Sequence, residues 1–181
     1  WNDCDVVPLG TAPSDMTPSP RHGGNILFAG RLVHRKGCGW FVREVLPYLP
    51  ESIRLQVAGT GWDDSEAHVI AHPRVDYLGC LDQQELAQAY GDALCVIVPN
   101  IEPENGEYEG FGLVAPEAAS AGGIVLAANH GGLRDAVIDG ETGHLLETGN
   151  AKVWIAAIEK ITALSKAERR QFSRNAQSVA Q

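Results

Sequence analysis

The segment Leu94-Cys95-Val96-Ile97-Val98 decides the fold: five consecutive apolar residues without polar alternation suit a strand covered on both faces. Working outward, short runs of similar character recur at Ile26 to Ala29, Ile53 to Ala58, Val75 to Leu78 and Ile124 to Ala127, with a weaker one at His144 to Leu146. Helix-like patterns fill the gaps at 40–48, 65–72, 82–90, 113–121 and 132–138. This alternation predicts a doubly wound, Rossmann-like α/β domain, with a parallel sheet of about six strands and right-handed crossovers. Asp82 followed by Glu85 has the form of a capping box. After the last strand, Asn150 should cap an amphipathic helix with Val153, Trp154, Ala157, Ile158 and Ile161 on one face, and a final helix is expected over 166–181.

Composition narrows the function classes. The 181 residues carry 14 Lys plus Arg against 23 Asp plus Glu, a formal net charge of -9, which argues against a nucleic-acid surface built on phosphate neutralisation. An anionic ligand must therefore be met by local cations. No apolar run reaches membrane-spanning length and the start has no signal-peptide pattern, so a cytoplasmic location is expected. Cys4, Cys38, Cys80 and Cys95 lack metal-site spacing, so neither disulfide nor zinc is expected. The chain opens on Trp1 and has a Pro/Gly-rich stretch over 11–24. We expect 1–24 to be an arm or linker from an absent N-terminal domain, and 25–181 to be the folded unit.

Open parallel sheets bind ligands beyond the C-terminal ends of their strands. Here those positions are rich in glycine: Gly30-Arg31, Lys36-Gly37, Gly59-Thr60-Gly61, Gly79-Cys80-Leu81, Gly110-Phe111-Gly112 and Gly131-Gly132. Arg31 and Lys36, four residues between them, could converge on a diphosphate, one as a fork and the other as a point charge. The stretch Glu109-Gly110-Phe111-Gly112-Leu113-Val114-Ala115-Pro116-Glu117 sets two carboxylates around a helix start. With 113–121 helical they would lie roughly 12 Å apart, at about 1.5 Å per residue. The helix start offers unpaired N–H groups to an anion, while each carboxylate accepts from sugar hydroxyls.

Competing motifs fail on detail. Gly59-Thr60-Gly61 has Asp64 where a dinucleotide fingerprint needs a third glycine, and the Gly30 turn lacks Gly-Lys-Ser/Thr. His68 and His72 share a helix face but have no evident third ligand. Glu102, Glu104 and Glu107 could suggest a divalent cation and are read instead as a solvated loop.

Taken together, these residues resemble the C-terminal, donor-binding domain of GT-B glycosyltransferases, in particular the retaining group known as glycosyltransferase family four. The resemblance runs from about Leu27 to Glu147 and rests on Gly30-Arg31 with Lys36-Gly37, Val57-Ala58-Gly59-Thr60-Gly61, Glu109 through Glu117, and Gly131-Gly132. It departs from the family at Arg134-Asp135, where Pro-Glu is usual, and at Asn100, where Ser is usual.

The resemblance implies that Arg31 and Lys36 hold the donor diphosphate, helped by backbone N–H groups of Gly112, Leu113 and Val114. Glu109, with Gly110 and Phe111, would face the sugar and Glu117 the ribose. The backbone at Cys80 and Leu81 would meet the base, and Gly131 and Gly132 would border sugar and diphosphate. Arg31, Lys36 and Glu109 would be the catalytic set, with no metal or other cofactor required beyond the nucleotide-sugar donor. The acceptor, a saccharide or a lipid-linked one at the inner membrane surface, would be held by the missing N-terminal domain, leaving this chain able to bind nucleotide but inactive alone. A phosphorylase, a sugar-nucleotide epimerase or a catalytically dead binding module stays open at this stage.

Overall fold

The structure is a computed structural model that describes residues 24–61, 63–101 and 112–180. The arm expected over 1–24 lies outside it save for Gly24, as do Glu109, Gly110 and Phe111. Six strands form one sheet: β1 (Asn25–Ala29), β2 (Arg54–Ala58), β3 (Val75–Gly79), β4 (Cys95–Val98), β5 (Val125–Ala128) and β6 (Gly143–Leu146). Their order is β3-β2-β1-β4-β5-β6, and every neighbouring pair is parallel. The expected fold class is therefore observed. The run that pointed to it, β4, is buried at all four positions in the middle of the sheet, paired on both edges.

The helices are α1 (Cys38–Glu44), α2 (Ala67–Ile70), α3 (Gln83–Asp92), α4 (Val114–Ser120), α5 (Leu133–Ala136), α6 (Ala151–Ala163) and α7 (Lys166–Ala180). α3 and α7 each pack against α4. α1 meets α6 through Trp154, fully buried, with Trp40 and Phe41 edge-on to its ring at 5.8 and 6.4 Å. Such T-shaped contacts suit the aromatic quadrupole, and the indole N–H donates to the Glu147 carbonyl at 3.1 Å, so no polar atom is stranded.

Four local expectations need correction. The helix expected over 40–48 starts earlier and stops at Glu44, and a separate 3₁₀ turn covers Leu46–Tyr48. Pro47 has no N–H to continue the ladder. The helix expected over 65–72 divides into a 3₁₀ turn, Asp64–Glu66, and the short α2. That expected over 132–138 shrinks to α5, since Val137 is extended. Asn150 sits at the N-cap of α6 but its side-chain oxygen makes no cap hydrogen bond, and its amide nitrogen donates to the Glu147 carboxylate at 2.8 Å. The capping box at Asp82 and Glu85 is present in both directions, at 2.8 and 2.9 Å.

Candidate functional site

The strand order reverses between β1 and β4, and the crevice at such a switch point is where open α/β sheets take ligands. The exits of β1, β2 and β3 are laced together by backbone, and the Tyr77 hydroxyl of β3 adds a bond to the Gly59 carbonyl at 2.8 Å. Gly30 N–H donates to the Ala58 carbonyl at 2.9 Å, and Gly59 N–H to that of Gly79 at 2.7 Å. A Cβ on Gly59, whose φ is +142°, would lie 2.1 Å from the Gly30 carbonyl oxygen, so only glycine permits this approach. The β1–α1 connection docks on the exit of β4 in the same way. A Cβ on Gly37 (φ +72°) would lie 1.9 Å from the Pro99 oxygen, and Ile101 N–H donates to the Arg35 carbonyl at 3.1 Å. Arg31 and Lys36 are thereby held over the switch point, Arg31 exposed and Lys36 half-buried in the turn His34–Lys36.

Glu66, which no sequence motif singles out, anchors the start of α1. It is 1% exposed and accepts from the Gly39 N–H at 2.8 Å. A carboxylate at a helix N-terminus is favoured by the dipole. Its charge, after burial itself, pushes the Cys38 thiol well above its ordinary range. Cys38, Cys80 and Cys95 are all free.

Over the strand exits lies a cavity of ≈ 230 Å³. It is lined by Gly30 and Gly59 at the exits of β1 and β2, by Cys80 and Leu81 after β3, and by Val114 and Glu117 of α4. The structure thus brings together Cys80, Leu81, Val114 and Glu117, four expected site residues. Arg31, Lys36, Gly112, Leu113, Gly131 and Gly132 lie at the same edge of the sheet but off the described wall of this cavity. Gly112, at φ +65°, precedes α4, whose first ladder bond is Ala115 N–H to the Gly112 carbonyl at 2.9 Å. Donors ahead of that bond are outside the helical ladder. Gly131 (φ +54°) and Gly132 form the turn into α5, where Arg134 donates to the Asn129 side chain at 2.9 Å.

Burial raises the Glu117 carboxyl group above its ordinary value, and a hydrogen bond from Tyr90 pulls it partly back. Tyr90 is 2% exposed and its hydroxyl lies 3.4 Å from Glu117 Oε2. It too was missed in the sequence, although Leu86 and Tyr90, one helical turn apart, form a face of α3 that lines the cavity. No three His, Cys, Asp or Glu side chains cluster as a metal site among the described residues. Nor, among them, is any helix long and apolar enough to cross a membrane.

A parallel sheet in this order, with its cavity beyond the strand exits, defines a Rossmann-like domain of the kind found in GT-B enzymes. Residues 23–163 match the family described as "Glycosyl transferases group 1", and the chain belongs to that family. It is 33% identical over 155 residues to a D-inositol 3-phosphate glycosyltransferase of Corynebacterium diphtheriae, covering 78% of this chain and 35% of that protein. It is 36% identical over 137 residues to a glycogen synthase of Mycobacterium tuberculosis, covering 68% and 30%. The chain thus spans about a third of the length of these curated relatives. Among solved structures, Anabaena Alr3699/HepE in complex with UDP and glucose shares the fold at a TM-score of 0.72 and 21% identity, over 87% of this chain and 43% of that one.

Proposed function

We propose that this chain is the donor-binding half of a retaining glycosyltransferase that moves a sugar from a nucleoside diphosphate sugar to an acceptor hydroxyl. The observation that carries the reading is the cavity over the strand exits, lined both by a partly desolvated carboxylate, Glu117, and by Cys80 and Leu81. Family membership and a structural neighbour crystallised with UDP and glucose support it.

In this reading the base lies on the Cys80–Leu81 rim and the ribose hydroxyls donate to Glu117, a carboxylate being able to accept from two vicinal donors. The diphosphate lies over the switch point between Arg31 and Lys36, with N–H groups of Gly112 to Val114 beside it. Gly131 and Gly132 leave room for the sugar, and Glu109, outside the described residues, contacts its hydroxyls. In the reaction the bond from the sugar C1 to the diphosphate oxygen breaks and its electron pair stays on that oxygen. Arg31 and Lys36 stabilise the charge so formed, an electrostatic task that needs no metal when fixed cations are already in place. The acceptor oxygen bonds to C1 on the face the diphosphate leaves, and its proton passes to the departing diphosphate oxygen. The acceptor belongs to the N-terminal part of the full-length enzyme, so this chain alone binds donor without transfer.

Replacing both cations, Arg31→Ala with Lys36→Ala, separates the parts of the grip. The expected result is about a hundredfold weaker binding of the nucleoside diphosphate, with the free nucleoside little affected. Equal losses for both ligands would contradict the assignment of these residues to the diphosphate.

A further inference from the structure

We propose that Tyr90 is a positioning residue for Glu117, its hydroxyl holding one carboxylate oxygen so that the other faces the ribose; this rests on the donor-binding reading above. Tyr90 belongs to α3 and Glu117 to α4, 27 residues later, yet both stand on the wall of the same cavity. A buried phenol needs a polar partner, and Glu117 Oε2 at 3.4 Å is the acceptor it faces. That separation is longer than the ordinary O–H···O optimum of about 2.7–2.8 Å, and bonds of this kind shorten when a ligand closes a site.

The two helices have little slack to lose this register. A Cβ on Gly123 would lie 2.8 Å from the Tyr90 carbonyl oxygen and 3.1 Å from that of Ala118, and one on Gly91 would lie 3.0 Å from that of Ala121. Glycines on both sides of the contact therefore let the end of α3 close on α4 backbone to backbone. The backbone segments that carry the ring and the carboxylate are thereby held in register.

Other polar groups around the contact are engaged elsewhere. On α3, Glu85 completes the Asp82 cap and Asp92 accepts from Gln88 at 3.4 Å. On α5, Arg134 is bound to Asn129, and on α7 the side chain that reaches α4 is Gln177, to the Ser120 carbonyl at 3.1 Å. Cys80 is the other titratable group on the described cavity wall. Burial, followed by the Glu117 charge, holds the Tyr90 proton far more firmly than in a free phenol, so the hydroxyl is a donor throughout the working range. With Oε2 so held, Oε1 is the oxygen presented to vicinal hydroxyls, and a ribose lacking one of them forfeits a bond.

The test is Tyr90→Phe, which removes one oxygen and keeps the ring, with folding checked by circular dichroism. Binding is measured by calorimetry with whichever of UDP, GDP and ADP the wild type binds most tightly, and with its 2′-deoxy and 3′-deoxy counterparts. The variant should bind the ribonucleotide about five- to tenfold more weakly, and its preference over the deoxy forms should shrink by a similar factor. The acid limb of binding against pH should move upward, since the donor that favours the ionised carboxylate is gone. In a Glu117→Gln background the same change should matter by less than about twofold. Wild-type binding together with an unchanged preference and acid limb, or equal losses in both backgrounds, would overturn this inference alone. Failure of the wild type to bind any of the three would overturn the donor-binding reading and this inference with it.

Discussion

The two edges of the sheet follow opposite rules. At the edge where strands begin, a side chain closes the turns: the Arg74 guanidinium donates to the carbonyls of Leu46, Leu49, Pro50 and Ile53, at 2.7 to 3.3 Å. At the edge where strands end, side chains are removed instead. Gly30, Gly37, Gly59, Gly79, Gly112 and Gly131 all have φ in the left-handed half of the map, and the loops there bond to one another mostly through main chain, with Tyr77 on the Gly59 carbonyl and Arg134 on Asn129 as side-chain additions. The first edge satisfies its own carbonyls with a charged donor; the second leaves a cavity and holds a carboxylate partly out of water. On the donor-binding proposal, the second edge is the one that meets ligand, the usual division when a site must keep groups that folding alone would not favour.

That contrast can be broken most severely at the glycine edge. Gly37→Ala combines a left-handed φ with a Cβ 1.9 Å from the Pro99 oxygen, so the β1–α1 connection must lift off β4. The expected loss is about 3–5 kcal/mol, read from the urea midpoint, the sum of backbone strain and overpacking. A change below about 1 kcal/mol would show that the two exits are not locked together as described.

At the other edge, Arg74→Met keeps the stem but strips the carbonyls of their donor. It should cost about 2–4 kcal/mol in the same unfolding measurement, with no change in nucleotide affinity. Loss of binding without loss of stability would mean the two edges are not independent.

The smallest effect sharpens the contrast at Glu117, whose ordinary value is 4.5 and whose folded value is raised by burial. Because the folded carboxyl group holds its proton more tightly than the unfolded one, its contribution to stability is full below about pH 4.5 and is lost as pH rises through the folded value. Glu117→Gln should therefore stabilise the unliganded chain at pH 7, by less than about 1 kcal/mol given the partial exposure, and the gain should vanish by about pH 4. A gain independent of pH would point to packing, not charge.

The sequence made the sheet legible, and the edge that carries the cavity, but not the cavity's internal contacts. β4 could be read because burial on both faces leaves a strand no polar alternation, and the exit glycines because left-handed turns need them. The capping box was local, closed within four residues, and was read correctly. Asn150 was misjudged because its side chain is oriented by donation to Glu147 and not by the helix N–H groups, and the break after Glu44 because the apolar spacing carried the helix past Pro47. Tyr90 and Glu66 were invisible for a different reason. Each acts across 27 residues on a partner in another element, and no spacing rule reports which helix faces lie together. The strand-exit rule put Cys80 and Leu81 at the right edge, and the family resemblance joined Val114 and Glu117 to them; the cavity has all four on its lining.

The central claim is that this edge of the sheet grips a nucleoside diphosphate, and calorimetric titration of the chain with UDP, GDP and ADP tests it most directly. The account predicts saturable binding of at least one of them, weakened at least tenfold by Glu117→Gln, with each protein folded by circular dichroism. Absence of binding by all three at millimolar concentration, with the protein folded, would contradict it.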